Sequence, residues 1–140
     1  MKRAGIANLR FFPNSELRNP NSEFRNHNFP KSLTPYMQIS ILLTTVAQKS
    51  DARRLATASL QHRSAACIQI ISGIESHYLW KGKKTTSREY LVMAKTTTGR
   101  SKSLEKLWQK IHPYDCPELI TLSGRAATAY ARWVVASVSS

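Results

Sequence analysis

Along residues 37–140 the hydrophobic period switches repeatedly and in a fixed order, and that order restricts the available folds more than any other feature of the chain. Met37, Ile39, Ile41 and Leu43 alternate with Gln38, Ser40 and Leu42, a period of two that predicts a strand with one strongly apolar face. Ser50 or Asp51 then offers an N-cap, after which Ala52, Leu55, Ala56 and Leu60 share one helical face with Arg53 and Arg54 outside it. Ala65–Ile71 is β-compatible and nearly all apolar, Gly73 permits a bend, and Ile74–Trp80 continues with Tyr78 and Trp80 on one side of the pleat. Lys81–Lys84 supplies a turn and Tyr90–Thr97 returns, which predicts an antiparallel hairpin. Leu104, Leu107, Trp108 and Ile111 follow at i, i+3, i+4 and i+7, and Pro113 closes that helix. Glu118–Leu122 reads as a short last strand, and Ala126, Ala129, Tyr130, Trp133 and Val134 as a terminal helix. The order β-α-β-β-α-β plus a C-terminal helix predicts an α+β fold of the split βαβ type, with helices on one face of an antiparallel sheet.

Residues 1–36 differ in kind. Asn8, Asn14, Asn19, Asn21, Asn26 and Asn28 fall there with Pro13, Pro20, Pro30 and Pro35, leaving little to bury. Asn14–Asn19 and Asn21–Asn26 form a near-repeat, NSELRN and NSEFRN, too short for a solenoid. The expected organisation is a flexible low-complexity extension over 1–36 and one domain over 37–140. Lys2 and Arg3 are followed by a stretch broken at Asn8 and Arg10, so no continuous apolar signal core forms and a cytoplasmic location is expected. The longest apolar runs, Ile39–Val46 and Ala65–Ile74, fall short of the roughly 18 to 20 residues of a membrane-spanning helix. Two cysteines make at most one bridge, so the 41% hydrophobic content must supply the core.

Several short strings coincide in order with one family. Ser64-Ala65-Ala66-Cys67-Ile68 resembles the "LAACVN" segment of the divalent-cation-tolerance proteins called CutA, and Trp80-Lys81-Gly82-Lys83 is similar to their "W-x-G-K" hairpin tip. Lys95-Thr96-Thr97 resembles "K-T-T", His112–Ile120 resembles "H-P-Y-x-x-P-E-I-I", and Tyr130–Trp133 resembles "Y-L-x-W". The likeness runs from about Gln38 to Val138. It departs at Thr44–Ala47, where the family usually has a proline, and at Ile71-Ser72-Gly73, where it has I-P-G. The resemblance implies a ferredoxin-like, homotrimer-forming domain tied to copper tolerance, and the family's occasional naming as periplasmic makes the periplasm the second location. Independently of it, both faces of Tyr90–Ala94 are apolar, more than one helix layer covers, so self-association is expected.

His112, Cys116 and Glu118 are the one cluster of potential ligands, an imidazole, thiolate and carboxylate set suited to copper or zinc. The resemblance places His112 and Glu118 at recurrent family positions and Cys116 at a variable one. In the competing reading, His112 and Pro113 end a helix, Tyr114 packs, and Glu118 pairs with a basic neighbour. Cys67, in an apolar strand, is either a small hydrophobe or a third metal ligand. His62 and His77 read as surface histidines, and His27 lies in the extension. Tyr78, Trp80, Lys95 and Tyr114 are candidates for lining a ligand cleft between subunits.

The chain contains no Gly-x-Ser-x-Gly, phosphate loop, His-Glu-x-x-His or paired-cysteine pattern, so no catalysis and no organic cofactor are expected. The net charge of +13 comes from 21 Lys+Arg against 8 Asp+Glu. A surface of that sign opposes metal cations and attracts anions. Lys81, Lys83, Lys84 and Arg88 gather at the hairpin tip, and Lys102, Lys106 and Lys110 along a helix, yet no nucleic-acid motif accompanies them. The expected function is therefore a non-catalytic trimer in divalent metal (copper) tolerance that binds Cu(II) or another divalent cation directly. The alternative is a trimeric signalling or scaffold module taking an anionic ligand or protein partner in its clefts. Nucleic-acid and membrane partners are not expected.

Overall fold

The computed structural model describes residues 35–139. The expected flexible extension and His27 lie outside them, except that Tyr36 already belongs to the first strand. Seven elements follow in order: β1 (Tyr36–Val46), α1 (Lys49–Gln61), β2 (Cys67–Trp80), β3 (Lys83–Thr96), α2 (Thr98–Ile111), β4 (Ile120–Ala127) and α3 (Thr128–Val138). The sheet runs β2-β3-β1-β4, with every neighbouring pair antiparallel, so β2 and β4 are its edges. This is the α+β architecture the hydrophobic periods predict.

Pleat alternation assigns the core. Leu42 and Val46 of β1 and Val92 and Ala94 of β3 face α1 and α2, where they pack with Leu55, Leu104 and Trp108. Each such aliphatic side chain, fully buried, contributes about 1.5–3 kcal/mol. Ile39 and Ile41, of opposite parity, pack instead against Ala131, Val134 and Trp133 of α3. α1 and α2 share one face, as the split βαβ order predicts, whereas the terminal helix α3 covers part of the other. Its inward stripe is Ala131, Val134 and Val138, whereas Tyr130 of the expected stripe is exposed and Ala126 belongs to β4.

α1 differs in a similar way. Gln48 occupies the N-cap position without a side-chain bond, in place of Ser50 or Asp51, and Ser59 is buried while Leu60 is 50% exposed. Ser59 turns inward because it is bonded from several sides: Trp108 Nε1–H donates to its Oγ at 2.8 Å, and that Oγ donates to the Leu55 carbonyl at 2.6 Å. Ser64 Oγ donates to the Ser59 carbonyl at 3.1 Å, and Thr96 Oγ1 to the Ser64 carbonyl at 2.7 Å. A buried polar thread thus joins α1, α2 and β3. The helix ends with Ser64 N–H on the Ser59 carbonyl and Arg63 N–H on the Leu60 carbonyl. That is a Schellman arrangement, with Arg63 rather than glycine at positive φ (48°).

The β2–β3 hairpin is longer than the sequence predicts, because Lys83–Glu89 pairs with Ile74–Trp80. Polar residues serve there because the ribbon extends past the last β1–β3 pair, Val46 with Tyr90, and has no helix behind it. Lys81 and Gly82 alone make the turn, at φ 48° and 75°, the positive values a two-residue type I′ turn needs. β4 begins at Ile120, which leaves Glu118 in the preceding loop rather than in a strand.

Ser59→Ala should lower stability by about 1–3 kcal/mol in denaturant unfolding, because it strands the Trp108 N–H. Leu60→Ala should stay within about 0.5 kcal/mol. Equal losses would show that the buried face of α1 is misassigned.

Candidate functional site

Between Ile71 and Ile74 the β2–β3 register shifts, with two residues of β2 opposite Tyr90 and Gly73 at φ +75°. This bulge reverses the parity of the strand beyond it. Ile74, Ser76, Tyr78 and Trp80 therefore lie on the face of Glu89 and Ser87, the face opposite α1 and α2. The α2–β4 loop comes round the end of β1 to meet them. It starts on the helix side, where His112 Nε2 lies 3.0 Å from Thr44 Oγ1. It finishes on the other side, where Tyr114 O–H donates to Glu89 Oε1 at 2.9 Å and Thr45 Oγ1 donates to Glu118 Oε2 at 3.4 Å. Ribbon and loop enclose an open cleft of ≈ 960 Å³.

Aromatic and acidic side chains dominate this cleft. Tyr78, Trp80 and Tyr114 line it with Glu89, Asp115 and Glu118, and Cys116 and His77 complete its donor groups. Thus three of the chain's eight Asp and Glu residues converge here, and among the described residues no Lys or Arg lines the space. Glu89 is only 7% exposed, and the buried Ser87 Oγ beside it has no hydrogen-bond partner. Tyr114 is pushed up to about 12 by burial and by its bond to Glu89, so it remains a neutral donor at physiological pH. His77 is already engaged by Glu75 at 2.7 Å and by Thr86 at 3.2 Å.

Of the residues expected to form a site, Tyr78, Trp80 and Tyr114 meet in the cleft with Glu118 and Cys116. His112 sits behind it. Its Nδ1 accepts the Tyr114 N–H at 3.1 Å, which leaves the proton on Nε2 for Thr44, so both ring nitrogens are occupied. The contact of Glu118 is a hydroxyl, not the basic neighbour one reading expects. Cys67 and Lys95 form a cross-strand pair at the start of β2 and the end of β3. Neither lines the cleft, whose first β2 residue is Ser76, nine positions beyond Cys67. Its thiol meets Tyr130 of α3, and Lys95 Nζ donates to Gln69 Oε1. Burial and the Cys67 contact raise the Tyr130 phenol. Among the described residues no three His, Cys, Asp or Glu side chains converge closely enough to hold a metal ion. The His112, Glu118 and Cys67 set is therefore not brought together.

Sequence reasoning missed Glu89, Asp115 and Ser87. Glu89 in particular is hidden within a polar run, and only the bulge and the loop make it part of a site.

Burial holds the His112 imidazole below its ordinary pKa. The unfolded chain therefore binds its proton at a higher pH than the native one, and stability rises with pH through that window. The contribution is complete above about pH 6.5 and is lost as pH falls through the lower native value. His112→Gln should flatten this part of the stability–pH curve in thermal melts. A curve as steep as that of the unsubstituted chain would assign the slope to another group.

Residues 40–137 match the family model of the CutA1 divalent ion tolerance protein. The divalent-cation tolerance protein CutA of Thermus thermophilus is 37% identical over 59% of this chain and 80% of its own length. The protein of the same name from Pectobacterium atrosepticum is 32% identical over 74% of this chain and 96% of its own. Among solved structures, CutA from Synechococcus elongatus superposes with a TM-score of 0.69 at 34% identity, covering 76% of this chain and 93% of that one. The Ehrlichia chaffeensis divalent ion tolerance protein CutA1 gives 0.70 at 32% identity, over 73% and 96%. With sequence, strand order and helix placement in agreement over most of its length, the chain belongs to the CutA1 family of divalent ion tolerance proteins.

Proposed function

We propose that this protein serves divalent-cation tolerance by receiving the cation directly, without catalysis, in the cleft between the β2–β3 ribbon and the α2–β4 loop. One observation carries this reading: a chain of net charge +13 gathers Glu89, Asp115 and Glu118 around a space that, among the described residues, no Lys or Arg lines. Low-dielectric walls strengthen the field of these carboxylates, so a cation is drawn there against the long-range repulsion of the whole surface. Because no three-ligand group is preformed, the ion keeps much of its water and is held at the rim by Glu118, with Asp115 and Cys116 at hand. The thiol favours Cu(II) over the harder cations. His112 positions the loop rather than coordinating. The same charge arrangement disfavours an anionic ligand in this cleft, which Lys95 does not line.

The functional form in this proposal is a homotrimer in the cytoplasm. Supporting the assembly, Ile120 and Leu122 on β4 and Ile71 on β2 are exposed large apolar residues on the sheet face that α3 leaves uncovered. Both flanking edges, β2 and β4, also carry unpaired backbone groups. No helix of the described residues is long and apolar enough to cross a membrane.

Calorimetric titration of the full chain with Cu(II) should give an affinity that falls roughly fivefold or more in Glu118→Gln, since one of three converging charges is lost. His112→Gln, which keeps every carboxylate of the cleft, should weaken Cu(II) less than Glu118→Gln does; a Glu118→Gln variant of unchanged affinity would reject the cleft. Light scattering should give the mass of three 15.8 kDa protomers, reduced toward one by Leu122→Asp. A protomer mass for the unsubstituted protein would reject the trimer.

A further inference from the structure

The cleft holds more apolar surface than an inorganic ion uses. Tyr78 and Trp80 follow each other on one face of β2, about 6.6 Å apart along the strand at 3.3 Å per residue. Tyr114 approaches from the loop, held by its bond to Glu89. A hydrated metal gains no apolar contact area from such walls, whereas methylene groups and alkylammonium heads gain both contact area and cation–π attraction. The acids are also spread out. Glu89 is buried on β3 beside the unpartnered Ser87 Oγ, while Asp115 and Glu118 stand exposed on the loop.

We propose that the aromatic cleft between the β2–β3 ribbon and the α2–β4 loop binds an aliphatic diamine or polyamine, with ammonium groups on Glu89 and Glu118 and methylenes across Tyr78 and Trp80. The inner ammonium donates to Glu89 and Ser87 Oγ, giving that buried hydroxyl the partner the protein does not supply. The outer ammonium rests against Glu118 and Asp115 at the rim. This ligand rests on the same acidic cleft as the metal reading but asks more of it, since it requires the aromatic wall as well as the charge. Non-specific attraction does not account for such binding, because the protein's net charge repels a polycation at long range.

The test is calorimetric titration of the full chain with spermidine, putrescine and, as an uncharged counterpart, 1,4-butanediol. Spermidine should bind more tightly than putrescine, and the diol should give no heat. Glu89→Gln should weaken spermidine about tenfold or more, the loss of a charge-assisted hydrogen bond. Because Glu89 is buried, Trp80→Ala on the exposed ribbon serves as the second variant. It should weaken spermidine severalfold while leaving the melting temperature unchanged, and Cu(II) should lose less affinity than spermidine does. Absence of spermidine binding at millimolar concentration, or equal binding by the unsubstituted chain and both variants, overturns the polyamine assignment. A chain that binds Cu(II) through Glu118 but not spermidine retains the metal reading and loses this one; spermidine binding without Cu(II) binding does the reverse.

Discussion

The register of β2 against β3 is the constraint from which the site follows. Strand geometry allows each side chain only two directions, and the residue count between Ile71 and Ile74 selects between them. Without the extra residue at Ser72–Gly73, Tyr78 and Trp80 would turn toward the opposite side of the ribbon, away from Glu89. Gly73 takes φ +75° at that point, and a Cβ there meets nothing within 4 Å. Its requirement is therefore conformational rather than one of space: a left-handed backbone that a side chain would strain.

The buried thread from Trp108 through Ser59 and Ser64 to Thr96 complements this register on the helix side. Hydrogen bonds of this kind add little net free energy each, but breaking one strands a buried polar group, so they act as positional constraints. They fix α2 against α1 and β3, and α2 in turn fixes where its last residue, Ile111, hands the chain to His112 and the loop. A neutral imidazole bridging Thr44 and the Tyr114 N–H then sets the start of the loop, and the Tyr114–Glu89 bond sets its middle. The His112–Thr44 and Tyr114–Glu89 contacts join residues 68 and 25 apart in sequence, so the cleft exists only once the whole domain has folded.

That dependence explains what the sequence revealed and what it concealed. Element order was legible because hydrophobic period is a local property: Leu104, Trp108 and Ile111 announce a helix without reference to anything else. Burial within an element was less legible. Leu60 outranks Ser59 in hydrophobicity, yet Ser59 is inside because Trp108 needs an acceptor there, a fact that lies 49 residues away. The second placement of helices was hidden for the same reason. Ile39 and Ile41 announce an apolar face, but only the path of α3 shows what covers it. Ile120, Leu122 and Ile71 remain exposed on that face, which is consistent with the expectation that one helix layer is insufficient.

Charge was the most misleading signal, because composition averages over a surface that the fold does not mix. Lys81, Lys83 and Lys84 belong to the exposed tip of the ribbon, whereas Glu89 lies further along the same strand in a nearly buried position. Net charge sets the average potential out to about a Debye length from the surface, but at contact distance the nearest groups decide the sign, especially where low-dielectric aromatic walls reduce screening. A cation approaching this protein therefore meets repulsion first and attraction last. If the cleft takes a cation as proposed, such a profile favours selectivity over capture rate: it penalises ions in bulk and rewards only those that reach Glu89, Asp115 and Glu118.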